Sequence, residues 1–135
     1  MKALSIKEPF ASLVALGIKK IETRSWKTNY RGEIYIHASL TKNVIKDKKR
    51  EEKLSLLLPA NYKFKQGNII CKAYLKDCIY MDDRFLDEIK KNETEYLCGR
   101  YEIGRYAWVL DDIKILEKEI PAKGKLGIWN FNQEN

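Results

Sequence analysis

The chain is poor in the residues that build metal and redox chemistry. It has one histidine, His37, and three cysteines, Cys71, Cys78 and Cys98, with no Cys-x-x-Cys pair. A zinc centre would have to use all four, and their spacing matches no metal-binding pattern. An odd cysteine count reads as reduced thiols in a cytoplasmic protein, commonly small buried hydrophobes, rather than as a disulfide framework. No apolar run approaches the roughly 18 residues that a membrane span needs. The opening segment MKALSIKEPF has neither a continuous apolar stretch nor a small-residue cleavage pattern, so no secretory leader is expected. A Gly-rich phosphate loop and a Gly-x-Ser-x-Gly elbow are also missing. Neither a metal nor a cofactor is expected.

What is present is an ordinary globular balance: 135 residues, 44% hydrophobic and 33% charged. That length predicts a single domain over residues 1–135, large enough to bury a core without staples. No repeat, linker or low-complexity segment interrupts it. The formal charge is +7 and it is unevenly spread. From Lys7 to Arg31 six cations face two carboxylates; from Asp82 to Glu95 three cations face six carboxylates. A polyanion would prefer the N-terminal pole. A lysine-rich surface that keeps the protein soluble has the same composition.

Hydrophobic period and breakers predict the elements. KALSI reads as a strand. Pro9 suits the first turn of a helix with Phe10, Leu13, Val14 and Leu16 on its apolar face, ended by Gly17. IETRSW alternates as a strand, KTNYRG is a polar loop, and GEIYIHAS is a strand with Ile34, Ile36 and Ala38 on one face. Residues 41–58 read as a charged surface helix capped at Thr41 or Asn43. GNIICKAYLKDCIYM is a long strand. DDRFLDEIKKN is a helix with Asp82 and Asp83 at the positive end of its dipole. YEIGRYAWVLDDIKIL is strand, in one piece or broken at Gly104 or Asp111, and IPAKGKLGIWNF is a turn and a last strand. About six short strands with two or three short helices predict an α+β, mainly β fold: a small β-barrel with helices on its rim.

One stretch, GIKKIETRSW, carries more charge than a strand start needs. Alternation places Lys20, Glu22, Arg24 and Trp26 on one face, with Ile21, Thr23 and Ser25 on the other. Two readings fit. In one, Glu22 and Arg24 pair on a wet surface, where such a pair contributes about 0–1 kcal/mol. In the other, they join Lys19 in a preorganised cleft beside the helix that starts at Pro9.

The segment from Leu4 to Ser39 resembles the start of an ASCH domain, a family of the PUA-like superfamily. The likeness rests on Gly17, Lys19, Glu22 and Arg24 in a Gly-x-Lys-x-x-Glu-x-Arg pattern. It is flanked upstream by Ser5, Ile6 and Pro9, and downstream by Arg31, Gly32, Ile34, Ile36 and His37. The C-terminal YAWVLDDIKILEKEIPAKGKLGIWNF is similar to the family's closing strands, with Trp108, Pro121, Gly124 and Trp129 in place. The resemblance implies a PUA-like β-barrel, a cleft bordered by the signature, and RNA or a nucleotide as partner.

The side chains limit the chemistry. Arg24 offers a planar donor fork for a phosphate or a base carbonyl. Lys19 is a point charge for a phosphate and, if desolvated, a candidate general base. Glu22 would orient Lys19, accept from the exocyclic amine of a base, or simply neutralise Arg24. Trp26 and Tyr30 offer stacking surface for an unpaired base, and Trp26 serves equally well as a rim aromatic. Lys7 and Arg31 would extend the positive groove. His37 reads as a hydrogen-bonded structural histidine or as a proton carrier. Tyr106, Trp108, Trp129 and Phe131 read as core.

Hydrolysis is the alternative to simple binding, with Lys19 and Glu22 as catalytic candidates. One family branch resembles a deacylase of acylated cytidine and carries threonine where this chain has Glu22. A carboxylate is not a hydroxyl nucleophile, so that activity would need Thr23 or Ser5 in its place. RNA cleavage, with a base near a 2′-hydroxyl and a cation on the scissile phosphate, is the other hydrolytic reading.

Overall fold

The computed structural model describes residues 1–132. The elements run β1 (Lys2–Glu8), α1 (Phe10–Ala15), β2 (Ile21–Arg24), β3 (Gly32–Lys42), α2 (Lys48–Leu56), β4 (Asn68–Tyr80), α3 (Asp83–Ile89), α4 (Glu93–Leu97), β5 (Tyr106–Pro121) and β6 (Ile128–Asn130). The strands form one sheet in the order β2-β5-β4-β3-β1-β6. Neighbours are antiparallel except β1 and β3, which are parallel. A parallel pair needs a crossover, and here α1 and β2 make it. None of the helices among the described residues is long and apolar enough to cross a membrane.

The expected β-barrel is not what forms. The sheet is open: β2 and β6 are its two edges, and no backbone ladder joins them. The barrel expectation assumed that short strands with two apolar faces must bury both by closing on one another. Other elements cover them instead. One face carries Leu4, Ile34, Ile36 and Trp108, and α1, buried along its whole length, packs on it. The opposite face carries Ala3 and Ala107, which alternate with Leu4 and Trp108. Trp129 and Phe131 cover Ala3, and Met81, Tyr101 and the apolar side of α3 cover Ala107.

Side chains also occupy the place where a closing strand would pair. The backbone N–H groups of Lys20 and Ile21, at the start of β2, donate to the Glu95 carboxylate at 2.9 and 3.2 Å. Arg24 reaches across to the strand beside the far edge, donating from Nη2 to the Ser5 carbonyl at 3.0 Å. The seam between β2 and β1 is therefore bridged by side chains rather than by a ladder.

Smaller differences have local causes. β3 runs on to Lys42, so neither Thr41 nor Asn43 caps α2; Asp47 does, accepting from the N–H groups of Lys49 and Arg50. A fourth helix, α4, was not expected; Asn92 caps it at Glu95. β5 is one strand of 16 residues that absorbs its bulges against β4 rather than breaking at Asp111. At α1, Pro9 sits at the N-cap and the acceptor is its predecessor: buried Glu8 takes the Ser12 N–H at 2.8 Å and the Ser12 hydroxyl. An N–H at the helix start that has no partner within the helix is thereby satisfied inside the core.

Candidate functional site

Gly17 is where the site begins. Its φ of +76° lies in the left-handed region that favours glycine. This turn lets the N–H groups of Ile18 and Lys19 both bond the Leu13 carbonyl, tucking Lys19 under the end of α1. There Lys19 is 1% exposed. Its Nζ donates to the Ile21 carbonyl and, at 2.8 Å, to the Cys98 carbonyl. It lies 3.6 Å from Glu22 Oε1 and 5.5 Å from the centre of the Phe10 ring. Lys19 is thus a bound cation that ties α1, β2 and the end of α4 together.

Glu22 and Arg24 project from the same face of β2. Arg24 holds one carboxylate oxygen, Oε2, from Nε at 2.9 Å and from Nη2 at 2.8 Å. The guanidinium lies 5.5 Å from the Trp26 ring centre and 5.9 Å from that of Trp108. The two tryptophans meet edge to face, and Trp108 donates its indole N–H to the Trp26 carbonyl at 3.1 Å. Trp108 is core, whereas Trp26 is 45% exposed.

Of these groups, Phe10, Lys19, Glu22, Arg24 and Trp26 line a cleft of about 1210 Å³. Lys7, Lys19, Glu22, Arg24 and Trp26, five of the seven residues singled out from sequence, are in its wall. Tyr30 and Arg31 are not. Tyr30 donates its hydroxyl to the Glu33 carbonyl, and burial followed by the nearby Glu33 raises its pKa. Arg31 folds back on the carbonyls of Thr28 and Tyr30 and faces Asp77.

The remaining wall comes from distant segments. α2 supplies Arg50, which donates from Nε and Nη2 to the Leu97 carbonyl over the Phe10 ring. The segment after α4 supplies Gly99, Arg100 and Arg105, and the loop before β6 supplies Lys123, Gly124, Lys125 and Leu126. Among the described residues, the wall holds eight lysines and arginines against one carboxylate, Glu22.

His37 sits at the foot of that loop. Its Nε2 is 2.8 Å from the Ala122 carbonyl, which can only accept, so in the neutral ring Nε2 carries the hydrogen and Nδ1 accepts. The Ser5 hydroxyl lies 3.0 Å from Nδ1 and itself accepts from the Trp129 indole at 3.1 Å. Gly124 presses on this pair: a Cβ there would stand 2.7 Å from Ser5 Oγ and 2.8 Å from His37 Cε1. His37 and Ser5 therefore seat the loop that carries Lys123 and Lys125.

A family model described as the ASCH domain matches residues 4–125. The chain belongs to the ASCH domain family. The match takes in the Gly17–Arg24 turn and strand, the His37 contact and Gly124. Among curated proteins, human Activating signal cointegrator 1 is 49% identical over 39 residues, 29% of this chain and 7% of that protein. The mouse protein of the same name is 50% identical over 36 residues, 27% of this chain and 6% of its own length. The aligned stretch is under a third of this chain and a small part of those relatives.

Proposed function

We propose that this ASCH domain binds RNA or a nucleotide in the cleft between β1 and β2. The observation that carries the reading is the wall itself, eight cations against one carboxylate, with Trp26 standing half-exposed beside the Arg24 guanidinium. Cations supply sequence-independent attraction to phosphate. An exposed indole supplies a face for an unpaired base. The combination favours a single strand over a duplex, whose bases are already stacked.

The test is a titration with a short single-stranded RNA at several salt concentrations. Four phosphate contacts predict a log–log slope of roughly −2.8, from about −0.7 per contact on a single strand. Trp26→Ala is expected to weaken binding by about 1–3 kcal/mol. A flat salt response would assign these charges to solvated surface and end the proposal.

Hydrolysis is the second reading, and one contact favours it: Ser5 and His37 stand at the spacing of a nucleophile and its base. Against it, Gly124 lies on both side chains. Lys19, the base candidate from sequence, already donates to two carbonyls. Incubation with single-stranded RNA and with acylated nucleosides decides the matter. Product formation lost in Ser5→Ala would establish turnover, and its absence in the wild type leaves binding.

A further inference from the structure

The four cleft arginines share one arrangement. Arg24 uses Nε and Nη2 on Glu22 and Ser5. Arg50 uses Nε and Nη2 on the Leu97 carbonyl. Arg100 uses the same two nitrogens on the Glu102 carboxylate. Arg105 donates from Nε to the Arg100 carbonyl at 3.0 Å and from Nη2 to the Thr23 carbonyl at 3.3 Å. In each case Nη1 has no hydrogen-bond partner among the described residues. A guanidinium anchored along one edge has less rotational freedom to lose when its open corner binds; the exposed Arg100–Glu102 pair is the loosest of the four anchors.

Two of the four meet at Thr23: Arg105 donates to its carbonyl, and the Arg100 backbone N–H donates to its hydroxyl at 3.0 Å. Arg24, the next residue in the chain, lines the same cleft. Their charges act on one another. Burial first, and then the Arg100 and Arg24 cations, hold the Arg105 guanidinium below its ordinary proton affinity, while Glu102 and Glu22 oppose the shift. Three cations against two carboxylates leave an excess of positive charge and three Nη1 groups with open donors. Arg50 is anchored on the Leu97 carbonyl over the Phe10 ring, and Lys123 and Lys125 belong to the 122–127 loop, so none of them shares the Thr23 contacts.

We infer that the Arg24–Arg100–Arg105 cluster is a subsite for a phosphomonoester, the terminal phosphate of a nucleotide or of an RNA end, with Trp26 taking the attached base. The inference rests on the proposed nucleotide-binding role of the cleft and specifies its ligand. A phosphomonoester brings three free oxygens and a charge of about −1.5 to −2, which suits three arginines of one cleft wall that each keep Nη1 unbonded among the described residues. An internal phosphodiester brings two free oxygens and one charge, and leaves one corner unused. The separate Arg50 and loop lysines suit the internal phosphates of a longer strand.

The experiment measures binding of adenosine, adenosine monophosphate and one five-nucleotide RNA in three forms: hydroxyl at both ends, 5′-phosphate, and 3′-phosphate. Inorganic phosphate is a further probe, read as a shift in melting temperature. Adenosine monophosphate, and at least one phosphorylated RNA, should bind about tenfold tighter than the unphosphorylated counterpart, as expected for one charge-assisted contact set. Which RNA gains tells the 5′ end from the 3′ end. Arg100→Gln should erase that gain and the phosphate shift. Its side chain is exposed and bonded only to Glu102, so the fold is retained, and Arg105→Lys repeats the test at the more buried corner. Equal binding of all three RNAs, weakened equally by Arg100→Gln, would overturn the terminal-phosphate subsite while leaving the cleft an RNA site. No binding of any RNA or nucleotide would overturn both.

Discussion

Arg24 grips a single oxygen of Glu22 from two of its nitrogens, and this leaves the other oxygen, Oε1, facing Lys19 at 3.6 Å. One carboxylate in the cleft wall therefore orients two cations. Glu22→Gln separates counter-ion from ligand reader. The amide places a donor where an acceptor is needed, so binding of the cognate nucleotide should weaken by about 1–3 kcal/mol, the usual cost of an unpaired buried polar group. Binding of a random oligonucleotide should barely change, because phosphate contacts carry no base information. Comparing the variant and wild type on a nucleotide panel checks this. Equal or tighter binding across the panel would reduce Glu22 to a counter-ion of Arg24.

Lys19 is expected to matter more to the fold than to affinity. Removing its ammonium strands the Ile21 and Cys98 carbonyls and leaves Glu22 one cation short in a site that is almost closed to water. Breaking a buried ion pair by deleting one partner costs about 3–5 kcal/mol. Lys19→Ala should therefore lower the unfolding free energy by about that amount in denaturant titration. A loss under about 1 kcal/mol, the range of an exposed pair, would mean that Lys19 is not the tie between α1, β2 and α4.

Gly124 gives a prediction with a different physical origin. No left-handed backbone is at stake there; the constraint is space. A methyl group would stand 2.7 Å from Ser5 Oγ and 2.9 Å from His37 Nδ1, and those two atoms are held by their bond to each other and by Trp129 and Ala122. Gly124→Ala should push the 122–127 loop outward, at a cost of about 1–3 kcal/mol for overpacking. RNA affinity should fall with it, because Lys123 and Lys125 leave the wall. Hydrogen exchange at Ala122 and Lys123 reads the displacement directly; unchanged protection and affinity would show that the loop has room to spare.

Local signals placed much of this chain correctly, and the errors were non-local. Alternation and caps located β1, β3, β4 and α3, and the glycine at the end of α1 located the turn that carries Lys19. Closure of the sheet is not legible locally because it depends on what covers each face: α1 on one side, and α3 with Trp129 and Phe131 on the other. The signature stretch was readable because its chemistry is contiguous in sequence. Arg100 meets Thr23 across 77 positions and follows an acidic segment, so nothing local marked it. Glu95 belongs to the acidic pole by composition, yet it is buried and holds the N–H groups that open β2. Tyr30 and Arg31 show the converse: close to the signature in sequence, they turn away to Glu33 and Asp77.

Glu8 should make stability depend on pH in an unusual direction. It is fully buried between β1 and α1, and that burial raises its pKa above the ordinary 4.5, although both Ser12 donors and the Lys42 cation pull it down. Below pH 4.5 the carboxyl is protonated in folded and unfolded chains alike. As pH rises above 4.5, the unfolded chain releases this proton first, and the folded state loses stability until its own, higher pKa is passed. Glu8→Gln has no proton to lose. Wild-type stability relative to Glu8→Gln should therefore be greatest in acid and fall as pH rises from 4.5 toward neutrality. Taking the difference between the two proteins removes the contribution of every other carboxylate. Urea denaturation of both across this range measures it. A wild type that gains on the variant with rising pH would mean that the Ser12 bonds and Lys42 outweigh burial and keep Glu8 ionised in the core.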